Sequence, residues 1–162
     1  MILGSSELRR LISEIKLVEN YNTDYIEGAG IDVRVGKIFH LKSGAKLTTS
    51  ERVLPEVEEL QDSRFVLKPE HYVLIQTMEK VNMPLDLCAR MLPRSTVQRS
   101  GVYQFHAFID PGYSGQLTFG MKNLGNHEFE FEKGTKIAQL IFEEVKGEAK
   151  GYKGRYQGGK VT

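Results

Sequence analysis

Apolar residues recur with two different periods along this chain. Near the N-terminus they fall at the i, i+3, i+4 and i+7 positions of an amphipathic helix: Leu8, Leu11, Ile12 and Ile15. Ser5 and Ser6 come just before them, and we expect their hydroxyl groups to cap this helix. After Gly36, short apolar runs are interrupted about every ten residues by turn-forming residues, a spacing typical of a compact antiparallel β-fold.

The most regular strand pattern lies in residues 127–132. Phe129 and Phe131 alternate there with glutamates, which predicts a strand with one face in water, and we expect residues 137–145 to be its partner. Pro93 should end another strand, and the Ser95–Thr96 pair should cap a short helical segment near residues 95–100. The sequence therefore predicts a mainly β protein, a distorted antiparallel barrel or jelly roll with one N-terminal helix.

The last part of the chain differs from the rest in composition. A length of 162 residues with 40% hydrophobic residues fits one domain, which we place at residues 1–145. Residues 146–162 are rich in glycine, and five Lys or Arg residues oppose only Glu148. Because this segment has little to bury, we expect a flexible basic tail that closes as a lid over a negatively charged ligand.

Charge and cysteine content narrow the range of partners and compartments. With 22 basic and 21 acidic residues the net charge is +1, so we expect no general affinity for nucleic acid. No apolar run approaches the length of about 20 residues that a membrane helix needs, so we expect no membrane partner. The single cysteine, Cys88, cannot form an internal disulfide, and a reducing cytoplasm is the simplest expectation.

Residues 94–99 combine groups that suit a phosphate. Arg94 and Arg99 carry guanidinium groups, Ser95 and Thr96 carry hydroxyls, and free N–H groups are expected at a helix start. The alternative is a helix cap flanked by surface arginines. The local sequence leaves both interpretations open.

Two aspartates are candidate catalytic residues. Asp110 begins an Asp-Pro-Gly sequence that favours a type II turn, and its carboxylate either serves that turn or acts as a general base toward water. Asp32 follows a glycine-rich turn, where it either caps the turn or orients a water near phosphates. Gln104 and His106 precede Asp110 closely and are candidates for lining a base pocket.

Taken in order, six short segments resemble the superfamily of trimeric dUTPases and dCTP deaminases, and most of all the archaeal-type dUTPases of its deaminase branch. The segments are residues 29–34, 93–96, 99–101, 109–115, 134–140 and 152–158. The resemblance implies the dUTPase fold, a deoxynucleoside triphosphate substrate and a homotrimer with shared active sites. It also implies Mg²⁺ held through the triphosphate and water, without direct protein ligands.

The same resemblance implies roles for individual residues. Asp110 would activate the water that attacks the α-phosphorus, and Asp32 would help to orient water or Mg²⁺. Tyr113 would lie under the deoxyribose, and Gln139 would brace the phosphates. The remaining substrate-binding residues would be Arg94, Ser95, Thr96, Arg99 and Gln104 of the domain, with Tyr152, Arg155, Tyr156, Gln157 and Gly158 of the tail.

Position 120 separates the two activities of this superfamily. In the deaminases, the strand after the Asp-Pro-Gly turn carries a glutamate that moves protons during attack of water on cytosine, whereas this chain has Gly120 there. Glycine cannot supply acid–base assistance, which is typically worth roughly 10²–10⁴-fold in rate. Our hypothesis is therefore a dUTP pyrophosphatase. The alternatives are a dCTP deaminase or bifunctional enzyme with another proton carrier, and a non-catalytic nucleotide-binding regulatory module.

Overall fold

The computed structural model describes residues 1–162 and consists mainly of strands. Its two α-helices are α1 (Ser5–Ile15) and α2 (Ser95–Arg99), and a 3-10 turn covers Thr23–Tyr25. The strands are β1 (Val18–Glu19), β2 (Ile26–Glu27), β3 (Gly30–Leu41), β4 (Lys46–Leu47), β5 (Arg52–Val53), β6 (Val57–Glu59), β7 (Arg64–Leu67), β8 (Tyr72–Asn82), β9 (Leu87–Pro93), β10 (Val102–Phe105), β11 (Ser114–Asn123), β12 (Phe129–Glu132) and β13 (Lys136–Glu144).

The main sheet is antiparallel and closes almost completely on itself. Its strand order is β10-β11-β8-β3-β13-β9, and the short strands β1, β2 and β6 pair with β8 or β3. Beyond β10 the chain reaches β9, where Ala89 and Ile109 exchange two main-chain hydrogen bonds of 3.0 Å. This bridge joins the two ends of the strand order, so the predicted distorted β-barrel is confirmed.

The hydrophobic core fills the barrel and extends to the N-terminal helix. Alternate residues of β3, among them Ile31, Val33 and Val35, are fully buried, and they meet the inward residues of β8 and β11. Leu8 and Ile12 of α1 join the same core. Ile15, the last residue of α1, is 43% exposed.

Both helices are present where the sequence predicts them, but neither is capped as expected. The N-cap of α1 is Gly4, and Ser5 already lies in the first turn; no side chain caps the helix. Likewise Arg94 is the N-cap of α2, and Ser95 is its first helical residue. The predicted serine caps are therefore wrong by one position in each helix. Neither helix has the length and apolar character needed to cross a membrane.

The expected pairing of residues 127–132 with residues 137–145 is wrong. Strand β12 keeps its predicted alternation, with Phe131 buried and Glu130 exposed, but it pairs with β7. Strand β13 instead lies between β3 and β9. The cause is the turn after β12, where Gly134 donates to the carbonyl of Val35 and carries the chain across to β3.

Candidate active site

A cavity of about 310 Å³ opens between β8, β10, β11 and the C-terminal tail. Its walls are mostly apolar, with aromatic rings contributed by Tyr72, Phe105, Phe108, Tyr113, Phe119, Tyr152 and Tyr156. Asp110 is the only carboxylate in the lining, and Gly120 lies on the wall formed by β11. Such a cavity suits a flat ring that carries a few polar groups.

The Asp110 side chain is not used to hold its own turn. The turn closes through the main chain, where Tyr113 N–H donates to the Asp110 carbonyl at 3.2 Å. Gly112 has a φ of 78°, the positive value that the third position of a type II turn needs. The carboxylate of Asp110 makes no hydrogen bond or ion pair within the chain, which leaves it available to a ligand.

Tyr113 is fixed below the cavity by its hydroxyl and by its ring. The hydroxyl donates to the carbonyl of Gln116 at 2.7 Å, and the ring meets Tyr152 edge to face at 5.4 Å between centroids. Burial, and secondarily the nearby Tyr152, raises the pKa of Tyr113 to about 12. Tyr113 therefore stays neutral and offers an aromatic surface to the cavity.

Gln104 does not line this cavity. It is 5% exposed, and its amide nitrogen donates to the carbonyl of Ile137 at 3.2 Å. Its other amide atom, the oxygen, lies 3.0 Å from Nε2 of His106, which does line the cavity. The structure thus gives Gln104 contacts that position His106; direct contact with substrate stays a prediction.

Asp32 lies in a separate cluster of charges. It is 4% exposed on β3, and its carboxylate is 2.9 Å from Nζ of Lys136 and 3.4 Å from Nε of Arg94. Lys136 also stands over the ring of Tyr25, 4.8 Å from its centroid. These two cations neutralise the buried carboxylate. A role for Asp32 in orienting water or Mg²⁺ stays a prediction.

Two of the predicted phosphate-binding residues line a second cavity of about 390 Å³. Arg94 and Thr96 line it together with Arg64 and Lys136, while Asp110 lines only the first cavity. Ser95 and Arg99 are exposed on α2, and Gln139 is half-buried on β13 opposite Asp32. Within one chain, the candidate base and the candidate phosphate-binding residues therefore do not share a cavity.

The C-terminal tail lies across the Asp110 turn and is held by hydrogen bonds. Tyr152 N–H donates to the Pro111 carbonyl and Gly158 N–H to the Ser114 carbonyl, each at 2.8 Å. The side chain of Gln157 accepts from Ser114 N–H at 3.0 Å and donates to the carbonyl of Gly112 at 3.0 Å.

The turn and the tail approach each other closely. A Cβ atom on Gly115 would lie 2.3 Å from the main-chain nitrogen of Gly159, so this approach requires glycine. Tyr152 and Tyr156 line the first cavity, whereas Arg155 is exposed and does not. The tail has the position of a lid, and its flexibility stays a prediction.

Two residues of the site were not among the predicted ones. Tyr72 lies on the cavity wall and Lys136 pairs with Asp32, but their partners are distant in sequence. Lys136 does fall inside one of the six resembling segments, residues 134–140, which is the only signal that could have indicated it. Nothing in the local sequence of Tyr72 distinguishes it from an ordinary strand residue.

By its fold the chain belongs to the class of small antiparallel β-barrel proteins, with one aromatic cavity and a second cavity that is lined by both basic and acidic side chains. Comparison with known proteins identifies the group within that class. Residues 2–145 match the family described as dCTP deaminase-like, and the chain belongs to that family.

Some similar relatives are named as dCTP deaminases, and another is named as a dUTP hydrolase. The dCTP deaminase of Pyrococcus furiosus is 32% identical over 159 residues, which cover 98% of this chain and 92% of the relative. The probable deoxyuridine 5'-triphosphate nucleotidohydrolase of Methanothermobacter thermautotrophicus is 31% identical over 157 residues, or 97% and 99% of the two chains. The chain is therefore an enzyme of the dCTP deaminase and dUTPase family.

Solved structures agree on the fold. The 2'-deoxycytidine 5'-triphosphate deaminase of Agrobacterium tumefaciens superposes with a TM-score of 0.70 at 20% identity over 87% of this chain, which spans about half (47%) of that longer chain. A mutant dUTPase of phage phi11 of S. aureus, described with a structural Mg(II) ion, gives a TM-score of 0.55 at 18% identity, covering 84% of this chain and 90% of that one.

Proposed function

We propose that the chain hydrolyses dUTP to dUMP and pyrophosphate. The observation that carries this proposal is the composition of the first cavity, in which Asp110 is the only carboxylate and Gly120 occupies the wall of β11. A carboxylate without partners in the chain can take a proton from water, whereas glycine cannot move protons onto a base.

The reaction is a single displacement at the α-phosphorus. Asp110 accepts a proton from water as the water oxygen forms a bond to that phosphorus. The bond from the α-phosphorus to the bridging oxygen breaks, and pyrophosphate leaves. The aromatic walls of the cavity would hold the pyrimidine ring by stacking and burial, with Tyr113 under the sugar.

The triphosphate needs more positive charge than the first cavity has within one chain. Lys160 is the only basic side chain there apart from the neutral His106, whereas Arg94 lines the second cavity. This separation supports a homotrimer in which Arg94, Ser95 and Arg99 of one copy meet Asp110 of another. The Tyr152–Gly158 segment would then cover the bound phosphates and exclude water.

The donor groups of the chain fit a Mg²⁺ ion that is held mainly by its substrate. No three His, Cys, Asp or Glu side chains cluster as a metal site, and Asp110 is the one carboxylate near the cavity. Mg²⁺ keeps several waters and commonly binds through phosphates with few protein ligands. When bound, it would offset the charge of the leaving pyrophosphate.

The test is to incubate the protein and Mg²⁺ separately with dUTP and with dCTP and to identify the products. We expect pyrophosphate and dUMP from dUTP, and a decrease of roughly 10²–10⁴-fold in rate for Asp110→Asn. Asp62→Asn, in an exposed loop, is the matched control and should keep the full rate. Full activity of Asp110→Asn would refute the mechanism, and tight dUTP binding without turnover would identify a non-catalytic module instead.

The second candidate function is dCTP deamination, alone or followed by hydrolysis. The names of the relatives favour it over dUTP hydrolysis, because most of them are called dCTP deaminase and some are called dUMP-forming. Overall identity does not separate the two, at 32% to a named deaminase and 31% to a probable dUTP hydrolase. Release of ammonia from dCTP would establish this candidate and would require a proton carrier other than residue 120.

Sharing of the site between copies has its own test. Asp110→Asn and Arg94→Ala chains should each be inactive alone, and mixed trimers should regain part of the activity because some sites then combine two intact halves. Light scattering at the assay concentration measures the oligomeric state. A monomer with full activity would refute the shared site.

A further inference from the structure

Gly120 faces a space that is already filled by another side chain. A Cβ atom built on Gly120 would lie 2.2 Å from the hydroxyl oxygen of Tyr72, 2.7 Å from its Cζ and 2.8 Å from its Cε2. These separations are far below van der Waals contact. A side chain at position 120 and the present position of the Tyr72 ring therefore exclude each other.

Strand register explains how Tyr72 reaches this space. In the β8–β11 pair, Gly120 is opposite Leu74 and Tyr72 is opposite Lys122, so Tyr72 is the diagonal neighbour of Gly120. An aromatic side chain can span that diagonal. On the other side, Phe105 of β10 is directly opposite Gly120, and its ring centroid is 6.0 Å from that of Tyr72.

Tyr72 lines the cavity, and its hydroxyl has no hydrogen-bond partner within the chain, so the hydroxyl is available to a ligand. Burial raises the pKa of Tyr72, so its hydroxyl stays protonated at neutral pH. A protonated phenol can donate a hydrogen bond to a carbonyl oxygen. It cannot take up a proton from water, as a carboxylate would.

We propose that Tyr72 is a specificity-determining residue of this cavity. Its ring occupies the space of a side chain at position 120, and its hydroxyl donates a hydrogen bond to a carbonyl oxygen of a bound uracil ring. The second half of this statement depends on the proposed function, because it requires the uracil ring in this cavity. The first half depends only on the contact between Tyr72 and Gly120.

The steric half is tested by thermal unfolding, without any substrate. Gly120→Ala should lower the unfolding midpoint by roughly 3–10 °C in the wild-type background, because the added methyl group displaces the Tyr72 ring. In a Tyr72→Ala background the same substitution should lower the unfolding midpoint much less. An equal decrease in both backgrounds would refute the mutual exclusion.

The hydroxyl half is tested by binding of α,β-imido-dUTP, which resists hydrolysis. Tyr72→Phe keeps the ring and should keep the unfolding midpoint, but it should weaken binding of this analogue by roughly tenfold. Tyr103→Phe is the matched control, because Tyr103 is exposed on β10 outside the cavity lining, and it should bind like the wild type. Unchanged binding by Tyr72→Phe would refute the hydrogen bond.

The two measurements separate failure of this inference from failure of the proposed function. If wild-type protein binds no α,β-imido-dUTP, the proposed function and the uracil contact both fail. The unfolding comparison still decides whether Tyr72 and a side chain at position 120 exclude each other.

Discussion

His106 gives this protein a stability that depends on pH in a way that can be worked out from its surroundings. Its ring packs against Phe119 with 4.9 Å between centroids, and its Nδ1 atom is buried without a partner. Because the Gln104 amide nitrogen donates to Ile137, the Gln104 oxygen faces His106, and we assign the proton of the neutral ring to Nε2. Burial lowers the pKa of His106 to about 4.

The sign of the effect follows from which state binds the proton. In the unfolded chain an ordinary histidine titrates near pH 6.5, whereas folded His106 titrates near 4. Below pH 6.5 the unfolded state therefore gains a proton that the folded state does not take up, and stability falls as pH decreases toward 4. Between pH 7.5 and 5.0, this difference in pKa would lower the free energy of unfolding by about 2 kcal/mol. Solvent screening of the partly exposed ring reduces the expected loss to about 1–2 kcal/mol.

Urea unfolding at pH 7.5, 6.0 and 5.0 measures this effect, with the protomer concentration held constant because subunit association would add to stability. Between the highest and the lowest pH, the free energy of unfolding should fall by about 1–2 kcal/mol more in the wild-type protein than in His106→Asn. His71→Asn, which alters an exposed histidine, should follow the wild type. Identical pH dependence of wild type and His106→Asn would refute the reasoning.

Three further predictions concern the tail and the buried charges. Gln157→Leu removes two hydrogen bonds of the tail, so trypsin should cleave the tail roughly tenfold faster while the unfolding midpoint is unchanged; equal cleavage rates would contradict this. Glu79→Ala leaves the guanidinium of Arg34 without its buried partner at 2.6 Å and should lower the free energy of unfolding, measured in urea, by about 3–5 kcal/mol. A decrease of less than about 1 kcal/mol would contradict this. Lys136→Met should destabilise the protein by removing the nearer cation of Asp32, and Asp32→Asn in the same chain should recover part of the loss, as measured by the unfolding midpoint.

Features set by neighbouring residues could be predicted from the sequence. The spacing of Leu8 and Ile12 predicts α1, and the alternation around Phe131 predicts β12, because each pattern reflects one buried face of a single element. The turn at Asp110 follows from Pro111 and Gly112, whose backbone preferences act locally.

Features that depend on strand pairing could not be predicted. The sequence does not reveal that β12 meets β7, because a strand with one apolar face can pack on any partner that covers that face. The contacts of Tyr72 with Gly120 and of Lys136 with Asp32 depend on the registers of β8 with β11 and of β13 with β3. The cap positions failed for a different reason, since a hydroxyl one residue inside the helix has the same local sequence signal as one at its start.

The C-terminal tail approaches β11 closely at Gly115, and the main-chain and side-chain atoms of the tail have different roles there. Except for Gln157 and the ring contact of Tyr152 with Tyr113, its attachment to the turn uses main-chain groups, which every residue type except proline provides in full. The side chains of Tyr156 and Lys160 are left to face the cavity. Substitutions at these two positions can therefore change which ligands the cavity binds, while the tail stays attached to the barrel.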